Sequence, residues 1–246
     1  MIKTILITGA SSGIGQAVAK NAARLQLNVI ATARREKNLQ ELAVQYPNIQ
    51  LIVADVSTDF GRDTIIQAIK KPIDYLLHNA AILDAPQKLI DLTVKDFRQN
   101  IYTNVEPIIF LTQKLIPFLK ASNDQSRILS ISSGAAKQAI AGLGNYCTSK
   151  AAALMANQIL KVEMPRHGVI VNDFFPGTVN TTMQKTLRSS NSDVFPYSDE
   201  FKKLKTNNHL NDPEKVASYI LDIFLKSTDE EFSEEEWTFK THDVLG

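Results

Sequence analysis

The segment Thr8-Gly9-Ala10-Ser11-Ser12-Gly13-Ile14-Gly15 constrains this chain more than any other. It follows Lys3-Thr4-Ile5-Leu6-Ile7, a short, β-branched and apolar run that reads as a buried strand. It leads into an Ala-rich helical stretch from Gln16 to Leu25. Strand, glycine-rich turn and helix in that order aim the N–H groups of a helix N-terminus at a phosphate. Glycine permits the tight turn and lets a pyrophosphate approach the backbone with no Cβ in the way. The spacing is Gly-x3-Gly-x-Gly, not the commoner Gly-x-Gly-x-x-Gly, and glycines alone would mark any turn. In this context nucleotide binding is the expectation, with Gly9, Ser11, Ser12, Gly13, Ile14 and Gly15 as contacts.

A second strand, Asn28 to Ala33, ends in Arg34-Arg35. In a dinucleotide-binding fold the end of this strand meets the adenosine ribose. An acidic residue there would bind the 2′-hydroxyl of NAD and repel the 2′-phosphate of NADP. Arginine forks suit a phosphate, although two arginines after a strand also read as plain solvated residues. The charge argument favours NADP(H).

Strands and helices alternate onward. Helices are expected over Glu36–Tyr46 and Thr58–Lys71, and strands over Ile49–Ala54 and Ile73–Leu77. Thr93 to Leu119 reads as one long helix, bent or broken at Pro107. Arg127–Ser132 and Val169–Phe175 read as strands on either side of a Gly144–Met164 helix. Residues 178 to about 211 are polar, irregular and too long for an ordinary connection, which predicts a lid with short helices. Asp212 and Pro213 suit the N-cap and first position of a last helix ending near Lys226. Glu236–Lys240 reads as a final strand, and the acidic run from Asp229 as a solvated surface turn. The alternation predicts one α/β domain over residues 1–246, a doubly wound, mainly parallel sheet with helices on both faces.

Composition bears on partners. A formal net charge of +1 gives no electrostatic ground for nucleic acid or an anionic membrane as partner. The single cysteine, Cys147, excludes an internal disulfide and fits a reducing compartment. The apolar opening is too short to span a bilayer, and no export signal is read in it, so a cytoplasmic protein with a small-molecule partner is expected. His167, His209 and His242 lack metal-ligand spacing and read as surface residues, so no metal is expected.

In Tyr146-Cys147-Thr148-Ser149-Lys150 the tyrosine and lysine stand four apart, on one face if the segment is helical. A phenol titrates near pH 10, and a neighbouring ammonium would bring it down far enough for general acid–base work. Alone, the pair reads equally as an exposed helix face, and Cys147 as a small packing residue.

Together these motifs resemble the classical short-chain dehydrogenase/reductase family over essentially the full length. Thr8-Gly9-x3-Gly13-Ile14-Gly15 is similar to that family's cofactor turn. The resemblance places Asp55 and Val56 at the adenine and Asn79-Ala80 beside the cofactor. It matches Asn104, Ser133, Tyr146 and Lys150 to the catalytic tetrad, and Pro176, Gly177, Val179 and Thr181 to the segment near the nicotinamide. It implies a Rossmann fold. Spacing to Tyr146 selects Ser133, leaving Ser132 as a turn residue. The family commonly has Asn-Asn-Ala-Gly where this chain has His78-Asn79-Ala80-Ala81, which implies altered packing near the adenosine. Pro107, one turn after Asn104, fits the family's habit of exposing that carbonyl to water.

The resemblance implies reversible hydride transfer at a carbonyl. Tyr146 would give the proton and Ser133 would hydrogen-bond the oxygen. Lys150 would lower the Tyr146 pKa and hold the nicotinamide ribose, and Asn104 would hold a water linking Lys150 to solvent. The C-terminal half is similar to the sepiapterin reductase and benzil reductase branch, implying an NADPH-dependent carbonyl reductase acting on a vicinal diketone. Phe239 stands where sepiapterin reductases carry a pterin-anchoring aspartate, which counts against a pterin. Met183, Phe195, Tyr197, Phe201 and Leu204 would line an apolar pocket, or anchor the lid. The competing readings are a non-catalytic NADP(H) sensor or scaffold and an alcohol-oxidising dehydrogenase. A homodimer or homotetramer is implied, with Ile108, Ile109, Phe110, Ala152 and Ala153 on its interface or in the core.

Overall fold

The apolar runs pair into one seven-stranded sheet with the order β3-β2-β1-β4-β5-β6-β7, every pairing parallel. The computed structural model describes residues 2–119 and 124–239. In chain order the elements are β1 (Thr4–Thr8), α1 (Gly13–Arg24), β2 (Asn28–Ala33), α2 (Glu36–Gln45), β3 (Ile49–Val53), α3 (Asp59–Ala68) and β4 (Tyr75–His78). Then come α4 (Val94–Asn104), a π-helical segment (Pro107–Leu111), α5 (Thr112–Leu119), β5 (Ser126–Ile131) and α6 (Gly144–Glu163). The last part holds β6 (Val169–Phe175), α7 (Thr182–Arg188), α8 (Ser198–Thr206), α9 (Pro213–Lys226), α10 (Asp229–Glu234) and β7 (Trp237–Thr238).

Alternation along each strand divides the core. Ile5 and Ile7 of β1 point with Ile170 and Phe174 of β6 into one layer, covered by α1, α2, α9 and α10. Leu6, Ile128, Val169 and Val171 point the other way, under α3, α5 and the end of α6. This is a single Rossmann-type α/β domain, as expected, with all described strands parallel. Among the described residues no helix is long and apolar enough to cross a membrane.

Two segments depart from the reading of the sequence, and one bears it out. The helix expected over Thr93–Leu119 is broken at Pro107, as expected, into two helices around a π-helical segment. Proline has no N–H to give the preceding turn, and the N–H of Ile108 donates to the Val105 carbonyl at 3.0 Å. An uninterrupted α-helix would have aimed that donor at Asn104. The acidic run is a helix, α10, because Thr228 and Glu231 close a reciprocal capping box and acidic side chains suit a helix N-terminus. The final strand is only Trp237–Thr238, and Lys240 lies outside the described residues.

Residues 178–211 leave the sheet after β6 and return beside their point of departure. Val179 and Asn211 form a parallel bridge, Asn211 N–H donates to the Thr178 carbonyl at 2.9 Å, and its side chain donates to the Pro176 carbonyl at 3.0 Å. Between these ends α7 and α8 pack against Ala135, Ile140 and Leu143 in a small core around Phe195, Phe201 and Leu204.

Candidate active site

After β3 the chain crosses back to β4 on the far side of β1, so strand order reverses there and a crevice opens at the strands' C-terminal ends. It holds a cleft of about 420 Å³. The turn after β1 contributes Gly9, Ser11, Ser12, Gly13 and Ile14, and the ends of β2 and β3 contribute Arg34, Arg35, Asp55 and Val56. Asn79, Ala80, Ala81 and Ile82 follow β4, and Ile131 and Ser132 close β5. Tyr146, Lys150, Pro176, Gly177, Val179, Thr181, Met183 and Gln184 complete the wall. Gly15, Asn104 and Ser133 are not part of it.

The first turn is held by side chains of its own neighbourhood. Gly9 sits at φ 69°, and a Cβ there would come within 2.9 Å of the Ala80 backbone. Thr8 Oγ1 accepts from the N–H groups of both Asn79 and Ala80 at 3.0 Å, while Asn79 Nδ2 donates to the Thr8 carbonyl at 2.8 Å. Gly15 is packed behind the turn against Asn79, so it serves the close approach of α1 rather than lining the cleft. Ser12 occupies the N-cap of α1 without capping it through its side chain. Arg35 instead donates to Ser12 Oγ at 2.5 Å and to Ser11 Oγ at 3.0 Å. Arg34 lies 3.7 Å from Asp55.

A helix N-terminus left open by its N-cap side chain, flanked by two arginines, fits a phosphate-bearing dinucleotide. Sequence reading missed the support beneath Asp55. Gly61 of α3 lies so close that a Cβ would meet the Asp55 carbonyl oxygen at 1.9 Å, and the buried Arg62 donates to the Val56 carbonyl at 2.8 Å. A glycine and an arginine inside an amphipathic helix carry no sequence signal for that role.

At the other end, α6 carries Tyr146 and Lys150 inward, and the two do not form an exposed face. Lys150 is 5 % exposed and donates from Nζ to the Ile131 carbonyl at 2.7 Å. Burial brings its ammonium down to about 8, opposed by the charge of Asp173. Burial pushes the Tyr146 phenol up to about 12, and the hydrogen bond with Ser133 pulls the other way. The expected depression of Tyr146 by Lys150 is absent, since Nζ lies 5.9 Å from the ring centre and is turned to Ile131. Ser133 is half-buried and also caps a short 3-10 turn, accepting from the Ala135 N–H at 3.2 Å. Ser132 is not merely a turn neighbour. It faces the cleft with a buried hydroxyl that has no partner.

Asn104 is buried, and its side chain is committed. It accepts from the Ile82 N–H at 2.8 Å and donates to the Ile82 carbonyl at 3.0 Å and Ser149 Oγ at 2.9 Å. The side chain is therefore not placed to hold a water. His78 is not at the adenosine end either. It turns under the sheet to Thr112 Oγ1 at 2.8 Å, and burial takes its pKa down to about 3.

Of the five residues proposed for the apolar pocket, only Met183 lines the cleft. Phe195, Phe201 and Leu204 are buried in the small core beneath α7 and α8, with Tyr197 packed on it. Phe239 packs against Tyr219 with ring centres 5.7 Å apart. His167 and His209 are half-buried rather than exposed, and His242 lies outside the described residues. No group of three His, Cys, Asp or Glu able to hold a metal occurs among the described residues.

Fold and cleft together define a Rossmann-type α/β protein with a cleft of ligand size at its switch point. The family model for short chain dehydrogenase matches residues 3–192, and the chain belongs to that family of oxidoreductases acting on CH–OH and C=O groups. It is 32% identical over 236 residues to a benzil reductase ((S)-benzoin forming) of Bacillus cereus, covering 90% of this chain and 94% of that one. The Bacillus subtilis benzil reductase is 26% identical over 230 residues, covering 91% and 94%. Among solved structures, an actinorhodin polyketide ketoreductase with NADPH superposes with a TM-score of 0.86 at 22% identity, over 98% of this chain and 96% of that one.

Proposed function

We propose that this protein is an NADPH-dependent carbonyl reductase whose preferred substrate is an aromatic vicinal diketone. The observation that carries the reading is Tyr146 and the buried Lys150 at one end of a cleft whose other end presents two arginines, with Ser133, outside the lining, hydrogen-bonded to Tyr146. The benzil reductase relatives and the NADPH of the ketoreductase structure support the substrate class and the cofactor.

A reduced nicotinamide supplies the hydride when the cofactor is bound. Arg34 and Arg35 hold its 2′-phosphate, Asp55 and Val56 flank the adenine, and the open end of α1 takes the pyrophosphate. Pro176, Gly177, Val179 and Thr181 shape the nicotinamide end. Tyr146, protonated at neutral pH, gives its proton to the carbonyl oxygen, and Ser133 donates a hydrogen bond to that same oxygen. Lys150 holds the ribose from its seat at the Ile131 carbonyl. Asn104 acts by fixing Ile82 in the cleft wall, and the water relay runs from its backbone carbonyl, past which the Ile108 N–H is diverted. Residues 178–211 serve as the lid, presenting Met183 and Gln184 to the substrate.

The exposed apolar surface supports a homodimer or homotetramer. Tyr102, Ile109, Phe110, Met155, Ile159 and Val162 are exposed on α4, the π-helical segment and α6, whereas Ile108 and Ala153 are core. A monomeric mass in light scattering would remove that assignment. The test of function is oxidation of NADPH and NADH against benzil, other diketones, sepiapterin and simple ketones. Turnover with NADPH and a diketone is expected. Activity no greater than with simple aldehydes would count against the substrate class.

A further inference from the structure

We propose that Asp173 is a positioning residue for the reaction, a buried carboxylate that holds the Lys150 ammonium in its charged form from beneath α6. The inference rests on the reductase reading only for its catalytic consequence. Its electrostatic content concerns Lys150 alone.

Strand alternation sets the direction of the Asp173 side chain. Phe174 of β6 points into the layer covered by α1 and α9, and Val169 and Val171 point into the opposite layer. Asp173, two residues beyond Val171, shares that opposite face and projects toward α6. On β5 its register partner is Ser130, and the next pair along the seam is Ile131 with Phe174. Lys150 binds the Ile131 carbonyl at that next step, about 3.3 Å further along the strands. The carbonyl that Lys150 binds and the residue that carries the carboxylate are thus one strand residue apart on the same seam under the same helix.

Asn157, two turns after Lys150, fixes this floor. It accepts from Ser130 Oγ at 2.8 Å, donates to the Asn172 carbonyl at 3.1 Å and hydrogen-bonds the Asp173 side chain. Asn172 is locked in turn by donating to the carbonyls of Phe232 and Glu235 at 2.6 and 2.9 Å.

A buried carboxylate without a task is a costly residue at this place, since burial disfavours its charge. The cations acting on Asp173 are Lys150 and Lys161 from α6 and Lys137 from beyond the 3-10 turn after β5. Lys137 is itself ion-paired to Glu236, and Lys161 stands nearly three turns from Lys150. Lys150 is the cation whose charge is hardest to keep, being buried at the cleft floor. A negative charge beside it favours the ammonium. With Asp173 neutral, Lys150 would lose its proton at lower pH, and the charge with which it is proposed to hold the ribose would go with it.

The test is NMR of the full-length protein without cofactor, carrying lysine labelled with ¹³C at Cε, with the Lys150 signal assigned by its absence from Lys150→Arg. Asp173→Asn keeps shape and hydrogen bonding and removes the charge. The Lys150 midpoint, about 8 in the parent, is expected to fall by about one pH unit, and Asp173→Glu to restore most of it. The alkaline limb of kcat/KM should move by the same amount. An unmoved Lys150 midpoint in a folded Asp173→Asn protein overturns the proposal. Should that variant not fold, the parent still decides. Its Lys150 signal must show a second, smaller inflection where Asp173 titrates, about pH 6, and a single inflection overturns the proposal. A shifted midpoint in a protein that reduces no carbonyl leaves the electrostatics standing and removes the reductase reading instead.

Discussion

The side-chain amide of Asn104 holds both backbone groups of Ile82, accepting from its N–H at 2.8 Å and donating to its carbonyl at 3.0 Å. The same Nδ2 reaches Ser149 Oγ at 2.9 Å, so one buried side chain ties the cleft wall after β4 to the helix of Tyr146. Asn104→Ala leaves the two backbone groups without that partner. A loss of roughly 2–3 kcal/mol of stability is expected, seen as a lower denaturant midpoint at unchanged slope. Turnover should fall with it, because the wall beside the reacting carbon loosens. Asn104→Asp sets a buried carboxylate against the Ile82 carbonyl, so its midpoint should fall at least as far.

Much of this was legible in the sequence because strand ends and helix starts are marked by residues with few alternatives. The turn at Gly9, the arginines after β2 and the pair on α6 all lie on the cleft or at its floor. The capped start of α9 at Asp212 and Pro213 was equally plain. What was not legible depends on partners distant in the chain. That Asn104 is occupied by Ile82, that His78 turns to Thr112, and that Phe201 packs on Phe195 rather than lining the cleft follow from tertiary packing. The Gly61 contact with Asp55 and the floor of Ser130, Asn157 and Asp173 are of the same kind. Each residue type there has an ordinary role in a helix or strand, and only the register of β5 against β6 brings the last three together.

Tyr146→Phe removes the phenolic hydroxyl and almost no volume. The hydroxyl is protonated at neutral pH and hydrogen-bonded to Ser133, so its removal forfeits the proposed proton donor and that link. Turnover is expected to fall by about 10²–10⁴-fold. The Kd for NADPH, read by fluorescence titration, should stay within about twofold, since Tyr146 lies at the far end of the cleft from the arginines. Turnover close to that of the parent would refute the role.

Arg34 and Arg35 can be told apart. Arg35 is pinned to Ser11 and Ser12 on the turn, while Arg34 is largely exposed and only 3.7 Å from Asp55. Arg34→Asp places two carboxylates at the ribose end, and the KM for NADPH should rise about tenfold or more while that for NADH changes little. Arg35→Ala also frees the turn, so both cofactors should weaken. Equal effects of Arg34→Asp on the two cofactors would overturn the assignment of the 2′-phosphate site.

His78 gives a pH prediction with a definite sign. In the folded protein it stays neutral down to about pH 3, whereas in the unfolded chain it takes a proton near its ordinary 6.5. Between these values the unfolded state binds more protons, so this residue makes the fold less stable as pH falls below 6.5. At pH 5 the loss is about 2 kcal/mol relative to neutral pH. Asp173 acts in the opposite sense, because its folded value near 6 lies above the ordinary 3.8 and its penalty is relieved as pH falls through that window. The parent therefore shows only the sum, and the informative quantity is the difference from His78→Asn, in which Asp173 is unchanged. From pH 7.5 to 5 that difference should move in favour of the variant by about 2 kcal/mol, measured by denaturant unfolding at each pH. A difference constant across the range would mean that His78 takes up its proton in the folded state as it does in the unfolded chain, and that burial does not hold it neutral.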